Sequence, residues 1–414
     1  MTTTPSASWL SFVPEADRWI VSVALAFFLA YAVSTLFKKL DISEMVGEIT
    51  AGIILGVPVV KYGLLDSKAI GTIGALGEIG ALLLLALAGL EIELDKLKRA
   101  SREGVAIALL SFTVPFTLGY AYTLSLGYDW KGAFIVGIVL GVTAEEITTK
   151  VYMELGILNT RIGAVTLLAA VVDDVMEVIA LALALALIES GSLHGVAFKL
   201  TIYALAYLAL SYALSLATAV VLRRYRADKS EYLWFYLSLL LLYSALGALF
   251  ELGPVIGAIL GGFFLQYSVH RAAKDRPDLL EANDEAVETL ERLLMGFLVP
   301  FFFIVIGLEF NVKYIVEYPV ELVVITTIAF LGKIGGTLLA KPFSNLTLRQ
   351  LWFMGWGMNA RGTLGMILTL IALRYNLIGP ELYTTIVAMA MITTIAFPFV
   401  VKAEYKRNPR IVEG

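Results

Sequence analysis

Uninterrupted apolar stretches of about 20 residues recur along the whole sequence, each long enough to cross a hydrocarbon layer of about 30 Å as a helix. In lipid only a helix or a closed barrel satisfies its own backbone hydrogen bonds, and a barrel would show short alternating segments instead. Only 16% of the residues are charged and the mean hydropathy is +0.83, far from the roughly 25% charge of a soluble domain. The expected fold class is an all-α integral membrane protein with about 13 transmembrane helices, in contact with membrane lipid and with no nucleic acid. The spans are placed at Trp19–Phe37, Met45–Val60, Ile70–Leu90, Val105–Leu126, Ala133–Met153, Ala164–Ile188, Val196–Leu222, Tyr232–Leu249, Leu252–Tyr267, Leu293–Phe310, Val320–Leu339, Leu351–Leu373 and Tyr383–Val401. The longest connection is His270 to Arg292, a charged stretch with helical character expected to lie along the cytoplasmic face.

Lys and Arg fall unevenly on alternate connections, 21 on one side and 7 on the other, with Lys150, Lys333 and Arg361 inside spans. By the positive-inside rule, residues 1–18 are extracellular, 19–401 form the membrane domain and 402–414 form a cytoplasmic tail. No cleaved signal peptide is expected. The chain has no cysteine, which excludes disulfides and thiol chemistry, and His194 and His270, read as loop residues, are too few for a metal site. No cofactor is expected.

The sequence repeats itself. Ala51-Gly-Ile-Ile-Leu-Gly56 resembles Ile256-Gly-Ala-Ile-Leu-Gly261, and Gly89-Leu-Glu91 resembles Gly307-Leu-Glu309. Both pairs lie seven spans apart, and an odd offset places the copies in opposite orientations. The expectation is an inverted repeat, about 19–188 and 232–401, joined by a linker helix at 196–222, as in transporters with alternating access.

The same offset pairs the fifth span with the twelfth, and both break the apolar pattern. One contains Gly141-Val-Thr-Ala-Glu-Glu-Ile-Thr-Thr-Lys150, the other Gly355-Trp-Gly-Met-Asn-Ala-Arg-Gly-Thr-Leu-Gly365. Glycine beside Glu145, Glu146 and Arg361 predicts discontinuous helices whose freed backbone groups line a cavity suited to a hard cation such as sodium. The sixth span carries Asp173 and Asp174, with Glu177 one turn further, in an otherwise aliphatic run. A charge at mid-bilayer costs at least ~2.5–3.5 kcal/mol, so two adjacent carboxylates point to a bound ligand. Their side chains diverge by about 100°, so one can face an ion cavity while the other meets a partner. Lys333, central in the eleventh span, is the obvious counter-charge. Glu177 joins the cavity or pairs with Lys150. Without a cation or a proton the carboxylates would be uncompensated, so the two compete.

At these residues the chain resembles the NapA-type sodium/proton antiporters of the second cation:proton antiporter family. The resemblance rests on Val46-Gly-Glu-Ile-Thr-Ala-Gly-Ile-Ile-Leu-Gly56, Gly89-Leu-Glu91, Thr143-Ala144, Ala170-Val-Val-Asp-Asp-Val175, Lys333 and Ala360-Arg-Gly362. It implies an inverted-repeat antiporter fold with two crossing discontinuous helices, a homodimer in the plasma membrane, and an elevator-like motion of a core domain. It also implies Asp174 as the main cation- and proton-binding carboxylate, Asp173 paired with Lys333, and Thr143 completing the sodium site. Two aspartates imply electrogenic exchange. Glu145-Glu146, Glu177 and Thr363 depart from the family pattern, which bears on selectivity and stoichiometry more than on fold. A potassium/proton exchanger on the same fold is the alternative function, and an intramembrane aspartyl protease the remote one, because neighbours on one helix do not converge on a water.

Overall fold

The computed structural model describes residues 10, 12–90, 102–158, 160–189, 195–224 and 229–412. Within these helices the side chains of 145, 146, 171, 174, 175, 178, 181, 182, 185–189, 195–202, 229 and 230 lie outside the description. So do Glu91 and His194.

The helices in chain order are α1 Arg18–Lys39, α2 Glu44–Gly56, α3 Pro58–Leu64, α4 Ser67–Leu90, α5 Arg102–Ser125, α6 Trp130–Gly141, α7 Glu145–Glu154, α8 Arg161–Glu189 and α9 Gly195–Arg224. They continue with α10 Lys229–Leu249, α11 Pro254–Ala273, α12 Asp278–Leu293, α13 Val299–Glu309, α14 Val312–Glu317, α15 Pro319–Leu339, α16 Leu348–Gly357, α17 Thr363–Arg374 and α18 Pro380–Arg407. Each of the thirteen apolar segments coincides with a helix or a broken pair. Among the described residues eight helices are long and apolar enough to cross a membrane alone, or nine if α2 and α3, bent by 81°, count as one.

One expectation is corrected here. His270 is in the last turn of α11, where its Nδ1 lies 3.1 Å from the Gln266 carbonyl. The charged stretch after it is helical, as expected, and its charged residues are mostly exposed. α12 runs through a π-helical turn, Leu294–Leu298, directly into α13. The reason lies in the pattern of α12, whose buried residues Leu279, Asn283, Ala286 and Leu290 form one apolar stripe at helical spacing. Tyr236 donates to Asn283 Oδ1 at 2.9 Å, so the stripe's single polar member is satisfied.

The chain divides into two compact units. The first comprises residues 1–73, 93–177 and 303–414, the second 74–92 and 178–302. The first unit's largest core cluster gathers Ile107, Ala144, Tyr152, Phe353, Met354, Met358, Ala360, Phe397 and Val401, and the C-terminal residues Ile411 and Val412 pack into it.

Each unit contains a close helix crossing in which two glycines, one from each helix, meet the other helix's backbone. In the first, a Cβ on Gly52 would strike Ile304 O and come 2.8 Å from Gly307 Cα, while one on Gly307 would strike Ile49 O and come 2.5 Å from Ile53 N. In the second, a Cβ on Gly262 would strike Ala86 O and come 2.7 Å from Leu90 N, while one on Gly89 would strike Ile259 O and come 3.1 Å from Phe263 N. Ile49, Gly52 and Ile53 thus answer to Ile259, Gly262 and Phe263, and Ile304 and Gly307 answer to Ala86 and Gly89. The string match set Gly52 against Gly257; packing sets it against Gly262, five residues on. Closely spaced glycines at 257, 261 and 262 permit both registers in sequence, and backbone contact distinguishes them.

Candidate functional site

The site forms where two helices stop in mid-segment. α6 ends at Gly141, Val142 and Ala144 are extended, and α7 begins at Glu145. α16 ends at Gly357, and α17 begins at Thr363 after an extended Gly362. The two breaks cross and bond to one another. Ala144 N donates to Ala360 O at 3.0 Å, and Thr148 Oγ1 donates to Gly357 O at 2.6 Å. A freed amide and two freed carbonyls are thereby used inside the crossing, as burial requires.

Arg361 is 1% exposed and sits in the second break. Its Nη1 donates to Val142 O at 2.5 Å and its Nη2 to Ala329 O at 3.3 Å. Val142 caps the C-terminus of α6, so the guanidinium lies against the negative end of a half-helix. Its backbone is held from the other side by Thr394 Oγ1, which accepts from Arg361 N at 3.1 Å. The sequence placed Arg361 among ion-pair residues; its hydrogen bonds run to carbonyls.

Asp173 is fully buried on α8 and Lys333 fully buried on α15. Lys333 Nζ stands 3.7 Å from Asp173 Oδ2 and donates a hydrogen bond to Thr143 Oγ1. Neither carboxylate oxygen of Asp173 has a hydrogen-bond partner among the described residues. Lys333 is set there by close packing of α15 on α5: a Cβ on Gly332 would come 2.7 Å from Pro115 Cβ, and one on Gly336 would strike Leu110 O. Among the described residues, then, this buried carboxylate has one cation at ion-pair distance, which leaves room for a further ligand on its oxygens.

The predicted residues therefore divide. Asp173, Lys333, Thr143 and Arg361 come together at the crossing. Glu177 is 5% exposed, one turn from Asp173, and its charge acts on Arg361 together with that of Asp173. Lys150 is exposed on α7. Asp174 occupies the next position of α8, and Glu145 and Glu146 open the first turn of α7, the positive end of a half-helix; the side chains of these three lie outside the described set. Sequence reasoning missed Asn359, fully buried in the second break, and Thr394, because neutral polar residues raise no anomaly in a membrane span. It also passed over Glu48, 7% exposed on α2.

Residues 23–403 match the family model described as sodium/hydrogen exchanger, transmembrane. The chain is 26% identical to a Na(+)/H(+) antiporter of Enterococcus hirae over 89% of this chain and 93% of that one. It is 25% identical to the Na(+)/H(+)-K(+) antiporter GerN of Bacillus cereus over 96% of this chain and 99% of that one. In fold it is similar to the sodium proton antiporter MjNhaP1 of Methanocaldococcus jannaschii, with a TM-score of 0.70 at 17% identity, covering 97% of this chain and 100% of that chain.

Proposed function

The chain belongs to the sodium/hydrogen exchanger family, and from that premise we propose that it carries sodium, with lithium as a second cargo, against protons by alternating access and with net movement of charge. Exchange of a monovalent cation for protons makes it a transporter and not an enzyme, which removes the protease alternative. Asp174 is the principal cation- and proton-binding carboxylate. Asp173 is its partner, held by Lys333, and Thr143 supplies a further oxygen. Glu177 balances Arg361, so that a buried guanidinium does not cancel the negative charge that attracts the cargo.

The observation that carries this reading is the fully buried Asp173–Lys333 pair at the crossing, 3.7 Å apart, with no closer partner for either carboxylate oxygen among the described residues. A cation or a proton is what such a group lacks. The two glycine crossings support an inverted repeat over about 19–188 and 232–401 with 196–222 as linker. The 21-to-7 bias of basic residues supports an extracellular N-terminus and a cytoplasmic tail in the plasma membrane. We assign a homodimer from the family resemblance. The second reading, potassium in place of sodium, is favoured by the likeness to GerN.

Proteoliposomes holding the purified chain and a pH-sensitive dye test the proposal. Added sodium should dissipate an imposed pH gradient, and Asp174→Asn should abolish the response. Normal exchange by that variant would remove Asp174 from the site. The same assay run with lithium and potassium decides the cargo, and sensitivity of the rate to an imposed membrane potential decides electrogenicity.

A further inference from the structure

Asn359 lies in the break between α16 and α17, fully buried. The orientation of its amide is fixed by chemistry. One terminal atom sits 2.7 Å from the Gly355 carbonyl oxygen and must be the donating Nδ2, since an amide oxygen cannot donate. The other atom is therefore Oδ1, and it has no hydrogen-bond partner among the described residues. A buried amide oxygen left bare is costly and calls for a reason.

The acceptors around the crossing supply one. Val142 O takes a bond from Arg361, Ala360 O from Ala144 N, Gly357 O from Thr148, and Thr143 Oγ1 from Lys333. Among the described residues Asn359 Oδ1 and the two oxygens of Asp173 accept no hydrogen bond. Hard cations are held by just such a mixture, carboxylate oxygens for charge and neutral oxygens for coordination number. Asn359 is also the residue before Ala360, whose carbonyl ties the two breaks together, so its backbone is held as firmly as the crossing itself.

We infer that Asn359 is a further ligand for the transported cation, contributing a neutral oxygen through Oδ1; this rests on the exchange reading above. A neutral ligand has no proton to lose, so it strengthens cation binding without taking part in proton competition.

The test is the sodium dependence of exchange in proteoliposomes, alongside sodium-dependent thermal stabilisation of the purified protein. Asn359→Ala should raise the KM for sodium about tenfold, by the same factor at each pH, with maximal rate within twofold of the parent. Asn359→Asp keeps an oxygen, loses the donation to Gly355 and adds a titratable carboxylate, so its KM should not rise at high pH but should climb more steeply than the parent's as pH falls. If Asn359 merely steadies Gly355, both variants will lower the melting temperature alike and leave KM unchanged, which overturns the inference. Asn359→Ser is read in the same way should the alanine variant fail to purify. Asp174→Asn, run in parallel, separates the two readings. If it retains sodium-dependent stabilisation while Asn359→Ala weakens it, the assignment of Asp174 fails and that of Asn359 stands.

Discussion

At the scale of single residues, burial decides what each charge does. Arg361 cannot reach water, and its two carbonyl bonds to Val142 and Ala329 join α6 to α15 through one side chain. Replacing it with Gln removes the cation on which the charges of Asp173 and Glu177 act and weakens the bond to a half-helix carbonyl. Removing one member of a buried charge set typically destabilises by about 3–5 kcal/mol. Arg361→Gln should therefore unfold at markedly lower temperature in detergent, whereas Arg361→Lys, which keeps the charge but not the fork, should fall between; equal melting curves for all three would refute the role. Asp173 and Lys333 were legible in the sequence because a charge in an apolar run is an anomaly with few explanations. The hydrogen bonds of Arg361 were not, because a backbone carbonyl carries no sequence signal, and neither was Asn359, whose importance lies in an oxygen left open by its neighbours.

At the scale of elements, the same argument turns on backbone contact. Gly52 and Gly71 are both glycines in membrane helices and look alike in sequence, yet a Cβ on Gly52 would meet the backbone of α13 while one on Gly71 would meet nothing within 4 Å. Backbone cannot yield as a flexible side chain can, so Gly52→Ala should cost about 1–3 kcal/mol in stability. Gly71→Ala should be neutral or stabilising by up to about 1 kcal/mol, through helix propensity. Thermal melts of the two variants check this, and an equal loss in both would mean that the α2–α13 approach does not matter. The broken helices were legible from glycine beside charge within a span. The register of the proposed repeat was not, since short glycine strings match in several alignments and the interlocking of Gly52 with Gly307 and of Gly262 with Gly89 favours one. The continuity of α12 with α13 was hidden for a similar reason: a run rich in charge reads as a connection until its apolar stripe is seen to be buried.

At the scale of the molecule, every described member of the site belongs to the first unit. That unit is tied on the side assigned to the cytoplasm by Lys402, whose Nζ lies 3.0 Å from Glu154 Oε2 on α7 and 3.6 Å from Asp41 Oδ2. A second tie joins α8 to α5 through Arg161 and Glu103 at 3.1 Å, with Glu103 also accepting from Asn345 N at 2.7 Å. Exposed ion pairs contribute little stability singly, so these ties matter more for keeping the helix ends together than for holding the fold. The proposed alternating access then has two forms to distinguish: the described helices of the first unit move as one body, or α8 shifts against α5 and uncovers Asp173. The complete absence of cysteine makes the choice testable, because any introduced pair is the only pair. Glu103→Cys/Arg161→Cys, bridged by a short bis-maleimide, fastens α5 to α8 across an existing contact. Transport as one body predicts that the bridged protein exchanges sodium for protons at a rate within about twofold of the same double variant left unbridged. A rate that collapses on bridging and returns when a cleavable linker is cut would place the essential movement between α5 and α8, inside the unit that holds the site.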